Sequence, residues 1–164
     1  MSTATAPPHA RHFDVLPSPI GSILVVATDD SVCGIYVADH ERAPLPAPGW
    51  TRGSALLDDA TSQLAEYFAG DRRTFDLPLD AHGTEFQRQV WAALCDVSYG
   101  EVASYGDIAV AVGRPTAVRA VGSANGRNPI SIVVPCHRVI GSNGTLTGYG
   151  WGVERKRWLL NLER

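Results

Sequence analysis

Nothing in this chain is built to span a bilayer. Its longest apolar runs, 20–27 and 130–135, fall far short of the ~20 residues a membrane helix needs, so no transmembrane segment and no membrane partner are expected. The first ten residues, MSTATAPPHA, have neither a basic start nor an apolar core of about 7–15 residues. They do not read as a secretory signal, and a disordered tail is expected over 1–10. Cysteine is scarce: Cys33, Cys95 and Cys136 are an odd number with no close-spaced pair. That argues against a disulfide framework or a zinc knuckle and for a reducing, cytoplasmic compartment. What remains is globular in composition, 45% hydrophobic and 19% charged over 164 residues, enough for one ordinary domain or two small ones.

A net charge of −3 argues against nucleic acid only on average. Residues 1–83 hold 5 Lys and Arg against 11 Asp and Glu, whereas residues 84–164 hold 9 against 6. From 108 to 153 there are Arg114, Arg119, Arg127 and Arg138, no lysine and no acid. This stretch could face an anionic partner, or it could be chance clustering on a solvated face.

Short β-rich runs at 13–16, 22–27 and 32–37, separated by turn clusters, predict a small antiparallel meander. Prolines and glycines make 42–53 a loop without regular structure. Ser54 is then an N-cap for a helix in which Leu57, Ala60, Leu64, Tyr67 and Phe68 recur at helical spacing until Gly70. Thr84 and Gln87 form a capping box for the next helix, and the domain division is placed before it, giving units 11–82 and 83–164. Ser104 caps a short helix to about Val112, Gly113 and Arg114 turn the chain, and Pro115 opens a second helix to about Ala124. The pair resembles a helix-turn-helix. The second helix presents Ala117, Ala120, Gly122, Ser123 and Ala124, with Arg119 its one long polar side chain. Such a face allows close approach to another surface but offers few groups for reading base edges in a major groove.

The β-branched run 130–134 predicts a buried strand that Pro135 ends. Cys33 and Cys95 sit within apolar strand and helix patterns and read as small core residues. Cys136 differs, because His137 and Arg138 follow it directly at the end of that strand. A free thiol is only a few per cent thiolate at neutral pH, and nearby cations or donors raise the fraction. Along an extended strand Cys136 and His137 would point to opposite faces, so contact between them needs a turn or a bridging water.

Here the sequence resembles the O6-alkylguanine-DNA alkyltransferases of bacterial type, the methylated-DNA–protein-cysteine methyltransferases. The pentapeptide Pro135-Cys136-His137-Arg138-Val139 matches their active-site signature. Ser104-Tyr105-Gly106, Arg119-Ala120-Val121-Gly122 and Asn128-Pro129 precede it at the family's spacing, and Gly148-Tyr149-Gly150, Arg155-Lys156, Leu159-Leu160 and Glu163 follow. Ser18-Pro19-Ile20-Gly21 matches the N-terminal turn, so the resemblance runs over about 13–164.

The resemblance implies an α/β (α+β) fold, an RNase H-like N-terminal domain followed by a helical, winged-helix-like C-terminal domain with the helix-turn-helix. It implies direct-reversal DNA repair: one irreversible transfer of an alkyl group from O6-alkylguanine, and from O4-alkylthymine, in duplex DNA. No cofactor or metal takes part, and the protein is expected to be a monomer. Cys136 would be nucleophile and acceptor, His137 its base through a water, and Glu163 the group that orients and charges the imidazole. Tyr105 would hydrogen-bond the base and offset charge on the leaving guanine. Asn128 would hold the turn presenting Cys136, and Val139, Tyr149 and Gly150 would line the guanine pocket. The second helix, with Thr116, Ala117, Arg119, Ala120, Gly122 and Ser123, would enter the minor groove, and Arg119 would fill the space of the flipped base. Lys156 matches a family lysine by position, without a role assigned. Trp151 departs from the small residue of many members and would leave the pocket's rim or loop narrower or differently closed. The zinc ligands of some members have no counterpart in Cys33, His9, His12, His40 and His82.

Two other readings stay open at this point. A Cys-His-Glu relay also suits a cysteine hydrolase, which would turn over repeatedly. A non-enzymatic alkylguanine lesion reader shares the fold but lacks the cysteine. A transcriptional regulator is disfavoured by the scarcity of base-reading side chains.

Overall fold

The computed structural model describes residues 11–40, 43–146 and 149–164. The 1–10 tail with His9, residue Arg42 at the start of the expected loop, and Gly148 of the glycine-tyrosine motif lie outside them.

Three strands form the meander: β1 (His12–Leu16), β2 (Ile23–Ala27) and β3 (Val32–Val37). β1 pairs antiparallel with β2 from His12↔Ala27 to Leu16↔Ile23, and β2 pairs antiparallel with β3 from Ile23↔Val37, with a register shift at Val26/Ala27. The expected loop 42–53 is not wholly irregular. Thr51 and Arg52 form β4, parallel to His12 and Phe13, giving the sheet order β3-β2-β1-β4. Only after the proline-rich stretch does the backbone regain the N–H groups a ladder requires.

Every residue of β2 is buried because both faces of the sheet are covered. Ile23, Val25 and Ala27 join the main core with Leu57, Ala60, Leu64 and Tyr67 of α1 (Ala55–Phe68). Leu24 and Val26 pack with Cys33 under Phe13, Tyr36 and Trp50. α1 begins where Ser54 accepts from Leu57 N–H and stops before Gly70, whose φ of +81° suits glycine.

The segment after α1 is pinned rather than free. Gln63 bonds both polar groups of the Asp76 backbone, and Val32 exchanges backbone bonds with Pro78 and Asp80. α2 (Glu85–Leu94) then starts at the Thr84–Gln87 capping box. Cys95 is its C-cap and is exposed, so it is not the core residue its apolar neighbours suggest.

α3 (Tyr105–Ala111) and α4 (Val118–Gly126) make the helix-turn-helix. Ser104 caps α3 in a reciprocal box with Asp107. α4 begins three residues after Pro115, because the chain first turns from Arg114 to Ala117. It also runs past Ala124, which is buried against α2, where its carbonyl accepts from Trp91 Nε1 at 2.8 Å. Ala124 is therefore not part of the outward face.

The run 130–134 is not a strand. Ile130 bridges Ile35 of β3, then the chain folds back within four residues, with Val134 N–H donating to the Ile130 carbonyl. Ile132 takes φ +75°, a strained value for a β-branched residue, and is nevertheless fully packed. A single-turn 3₁₀ helix at Cys136–Arg138 follows, then β6 (Val139–Ile140), parallel to β5 (Ala103–Ser104), and α5 (Val153–Leu162).

Candidate active site

The buried turn exists because Asn128, two residues beyond α4, replaces the missing ladder. Its Nδ2 donates to the Val134 carbonyl at 2.8 Å and its Oδ1 accepts from Ile130 N–H at 3.0 Å. These two bonds close the loop that ends at Pro135. From there Cys136 N–H reaches back to Val134 and Arg138 N–H to Pro135, which winds the next residues into the 3₁₀ turn. Cys136 and His137 therefore leave a turn, not an extended strand, and the geometric objection to their cooperation disappears.

Cys136 is 3% exposed and His137 fully buried. His137 Nε2 lies 2.7 Å from Glu163 Oε2. Glu163, the C-cap of α5, also accepts from Arg138 Nε at 2.8 Å and Nη2 at 3.1 Å, and from the Tyr67 hydroxyl at 2.5 Å. Burial alone would raise its pKa, but the bonds from His137, Arg138 and Tyr67 outweigh it and hold the carboxyl at about 2. The ionised carboxylate accepts from Nε2, so Nε2 carries the proton. Burial, helped by the charges of Arg138 and Lys156, keeps His137 below its ordinary value against the pull of Glu163. The neutral ring then offers Nδ1 as an acceptor, and Nδ1 is buried with no partner among the described residues.

Burial raises the Cys136 thiol, opposed by Asn128, Ser131 and the Lys156 charge. The Ser131 hydroxyl lies 3.9 Å from Sγ. Lys156 is completely enclosed. It donates to the Val139 carbonyl at 2.5 Å, lies 5.9 and 6.0 Å from the Tyr105 and Tyr149 ring centroids, and is lowered by burial to about 8.

A cavity of about 220 Å³ opens at the thiol. It brings together the expected Cys136, Asn128, Tyr149 and Gly150, and Trp151 stands in its wall, edge-on to Tyr149 at 5.9 Å. Tyr105 and Val139 are absent from that wall and join it through Lys156. Sequence reasoning did not assign several other lining residues to the site, among them Tyr36 and Asn125. Tyr36 of β3 contributes from the other end of the chain, and Asn125 donates to the Cys136 carbonyl at 3.3 Å. The one-turn spacing of Asn125 and Asn128 at a helix end was a usable signal for the second, but nothing local marks Tyr36.

The expected face is split between α4 and the turn before it, where Thr116 and the N-cap Ala117 lie, and it is split by depth. Thr116, Arg119, Ala120 and Ser123 are exposed, whereas Ala117 and Gly122 are half-buried, Gly122 against the Tyr105 ring. Arg138 does not belong to any basic surface: it is buried on Glu163 and the Val97 carbonyl. Among the described residues no group of three His, Cys, Asp or Glu side chains could hold a metal ion, and no helix is long and apolar enough to cross a membrane.

The fold and site define a helix-turn-helix protein built around a buried cysteine-histidine-glutamate relay. Residues 12–81 match the 6-O-methylguanine DNA methyltransferase ribonuclease-like domain, and residues 85–164 match the DNA-binding domain of the same proteins. The chain is 49% identical over 152 residues to a methylated-DNA–protein-cysteine methyltransferase of Mycolicibacterium paratuberculosis, covering 93% of this chain and 92% of that one. It is 46% identical over 153 residues to the protein of that name from Methanosarcina barkeri, covering 93% and 96%. The solved structure of Mycobacterium tuberculosis OGT in complex with DNA superimposes with a TM-score of 0.85 at 46% identity, covering 93% of this chain and 92% of that chain. The chain belongs to the 6-O-methylguanine DNA methyltransferase family and is a methylated-DNA–protein-cysteine methyltransferase by its likeness to these relatives.

Proposed function

We propose that Cys136 is the residue that accepts the alkyl group, from O6 of alkylguanine or O4 of alkylthymine in duplex DNA. The observation that carries this is the Glu163–His137 pair at 2.7 Å behind a buried cysteine, with the far imidazole nitrogen unpartnered. A water between Nδ1 and Sγ would satisfy that nitrogen and carry the thiol proton to it. The thiolate attacks the alkyl carbon in line, the S–C bond forms as the C–O6 bond breaks, and the electron pair passes to O6. The proton taken by His137 balances the charge when guanine is released neutral. Tyr105 donates to the base as charge develops on it. Lys156 lies beside the rings of Tyr105 and Tyr149 and favours the thiolate through its charge.

The damaged nucleotide reaches the thiol only by leaving the stack. The exposed part of α4 approaches the minor groove, with Arg119 occupying the vacated space and Ala120 and Ser123 keeping the approach close. Tyr149 and Gly150 enclose the base, Val139 supports them from behind through Lys156, and Trp151 stands at the rim. Units 11–82 and 83–164 act as one monomer, in the reducing cytoplasm that keeps the thiol free.

A thioether is not a leaving group under these conditions, so the reaction occurs once per protein. Repaired guanine measured against protein should rise to one equivalent and stop. Continued turnover, or release of an acid from an ester or amide, would favour a cysteine hydrolase instead. Binding without any repaired guanine would favour a lesion reader.

A further inference from the structure

One donor to Glu163 comes from the opposite end of the chain. Tyr67, in the last turn of α1, reaches Glu163 Oε2 at 2.5 Å across 96 residues of sequence. Its ring is fully buried, held by Phe68, Phe75 and Tyr99 at centroid distances of 5.6, 5.5 and 6.3 Å. Packing of that kind asks only for a phenyl ring. A buried hydroxyl adds a desolvation cost unless it is bonded, so a tyrosine here makes sense through its bond to Glu163.

We infer that Tyr67 is a positioning residue for the proposed reaction: through Glu163 it orients the His137 imidazole and moderates its basicity, which makes α1 a working part of the site and not only its support. This rests on the reading of Cys136 and His137 given above. Oε2 takes three donors, from His137, Arg138 and Tyr67, while Oε1 takes Arg138 Nε. The negative charge that holds a proton on His137 is shared with the other donors to the same oxygen. Removing the Tyr67 hydroxyl leaves more of it for the imidazole, so His137 becomes the stronger base. The other groups facing this pair are fixed by their own contacts. Arg138 and Lys156 oppose an imidazolium, and Cys136 and Tyr149, both raised by burial, carry no charge below neutral pH.

The test is the protonation midpoint of His137, followed by nitrogen-15 imidazole NMR among the 5 histidines, together with the pH dependence of transfer from free O6-benzylguanine. Tyr67→Phe keeps the ring and should move both midpoints upward by about half a pH unit or more, with the rate well above the midpoint within about threefold of wild type. Replacing Tyr67 with 3-fluorotyrosine, a stronger donor of nearly the same shape, should move them downward, and it serves alone if the phenylalanine variant does not fold. A uniform loss of rate at every pH with His137 unmoved, or no change in either variant, would overturn the inference. A wild-type protein that shows the NMR shifts but never alkylates Cys136 would instead defeat the reading of the reaction.

Discussion

Glu163 gathers four side-chain hydrogen bonds onto one buried carboxylate. It bonds a histidine, an arginine and a tyrosine, all buried. Glu163→Gln would leave the Arg138 guanidinium without its counter-charge in the interior, a loss of about 3–5 kcal/mol, readable by urea unfolding. The pH dependence has a fixed sign. With a folded pKa of about 2 against an ordinary 4.5, the carboxylate contributes stability that is fully present above about 4.5 and lost as the pH falls toward 2. The difference in stability between wild type and Glu163→Gln should therefore shrink through that window; a difference constant down to pH 2 would mean the carboxylate is not held by these bonds. At this scale the sequence set Cys136 and His137 in one pentapeptide and Glu163 at a separate matching position, and the structure brings His137 and Glu163 within 2.7 Å. The sequence was silent on Tyr67, because contact across 96 residues leaves no local pattern.

Helices with a polar first turn announced themselves: Ser54, Thr84 and Ser104 each cap where the side-chain chemistry requires. The active-site run did not, since Ile130, Ile132, Val133 and Val134 have strand propensity, and what overrides it is the Asn128 amide bonding both ends of the turn. Proline at 115 misled in the other direction, being tolerated in a first helical turn but used here in the turn before it. The functional prediction at this scale concerns α4. Arg119 is exposed and no ion pair among the described residues holds it to the fold. Arg119→Ala should slow repair in duplex DNA by roughly tenfold or more, about 1.4 kcal/mol, while leaving reaction with free O6-benzylguanine within about twofold, since only the duplex requires flipping. Equal losses on both substrates would assign Arg119 to the fold.

For the molecule as a whole, few of the arginines in the acid-free stretch are available to a phosphate backbone. Of the four arginines between 108 and 153, Arg138 is buried on Glu163, leaving Arg114, Arg119 and Arg127 exposed. On the proposed placement of Arg119 in the stack, about two phosphates would be neutralised, and log affinity for undamaged duplex should fall against log salt with a slope near −2. A slope near −6, or a strong preference for one undamaged sequence, would reveal a basic surface or a reading helix of another kind. The ribonuclease-like region 12–81 and the DNA-binding region 85–164 meet at the site itself, where Tyr36 lines the cavity and Tyr67 bonds Glu163. That meeting was illegible in composition or periodicity, which describe each segment separately. The most direct measurement is peptide-resolved mass spectrometry of the protein before and after incubation with duplex DNA containing O6-methylguanine. One methyl group, stable and confined to the peptide bearing Cys136, is expected in wild type, Cys33→Ser and Cys95→Ser, and none in Cys136→Ser, which should still bind the duplex. A methyl group on Cys33 or Cys95, or guanine restored with no mass gained by the protein, would contradict the assignment of Cys136 as the acceptor.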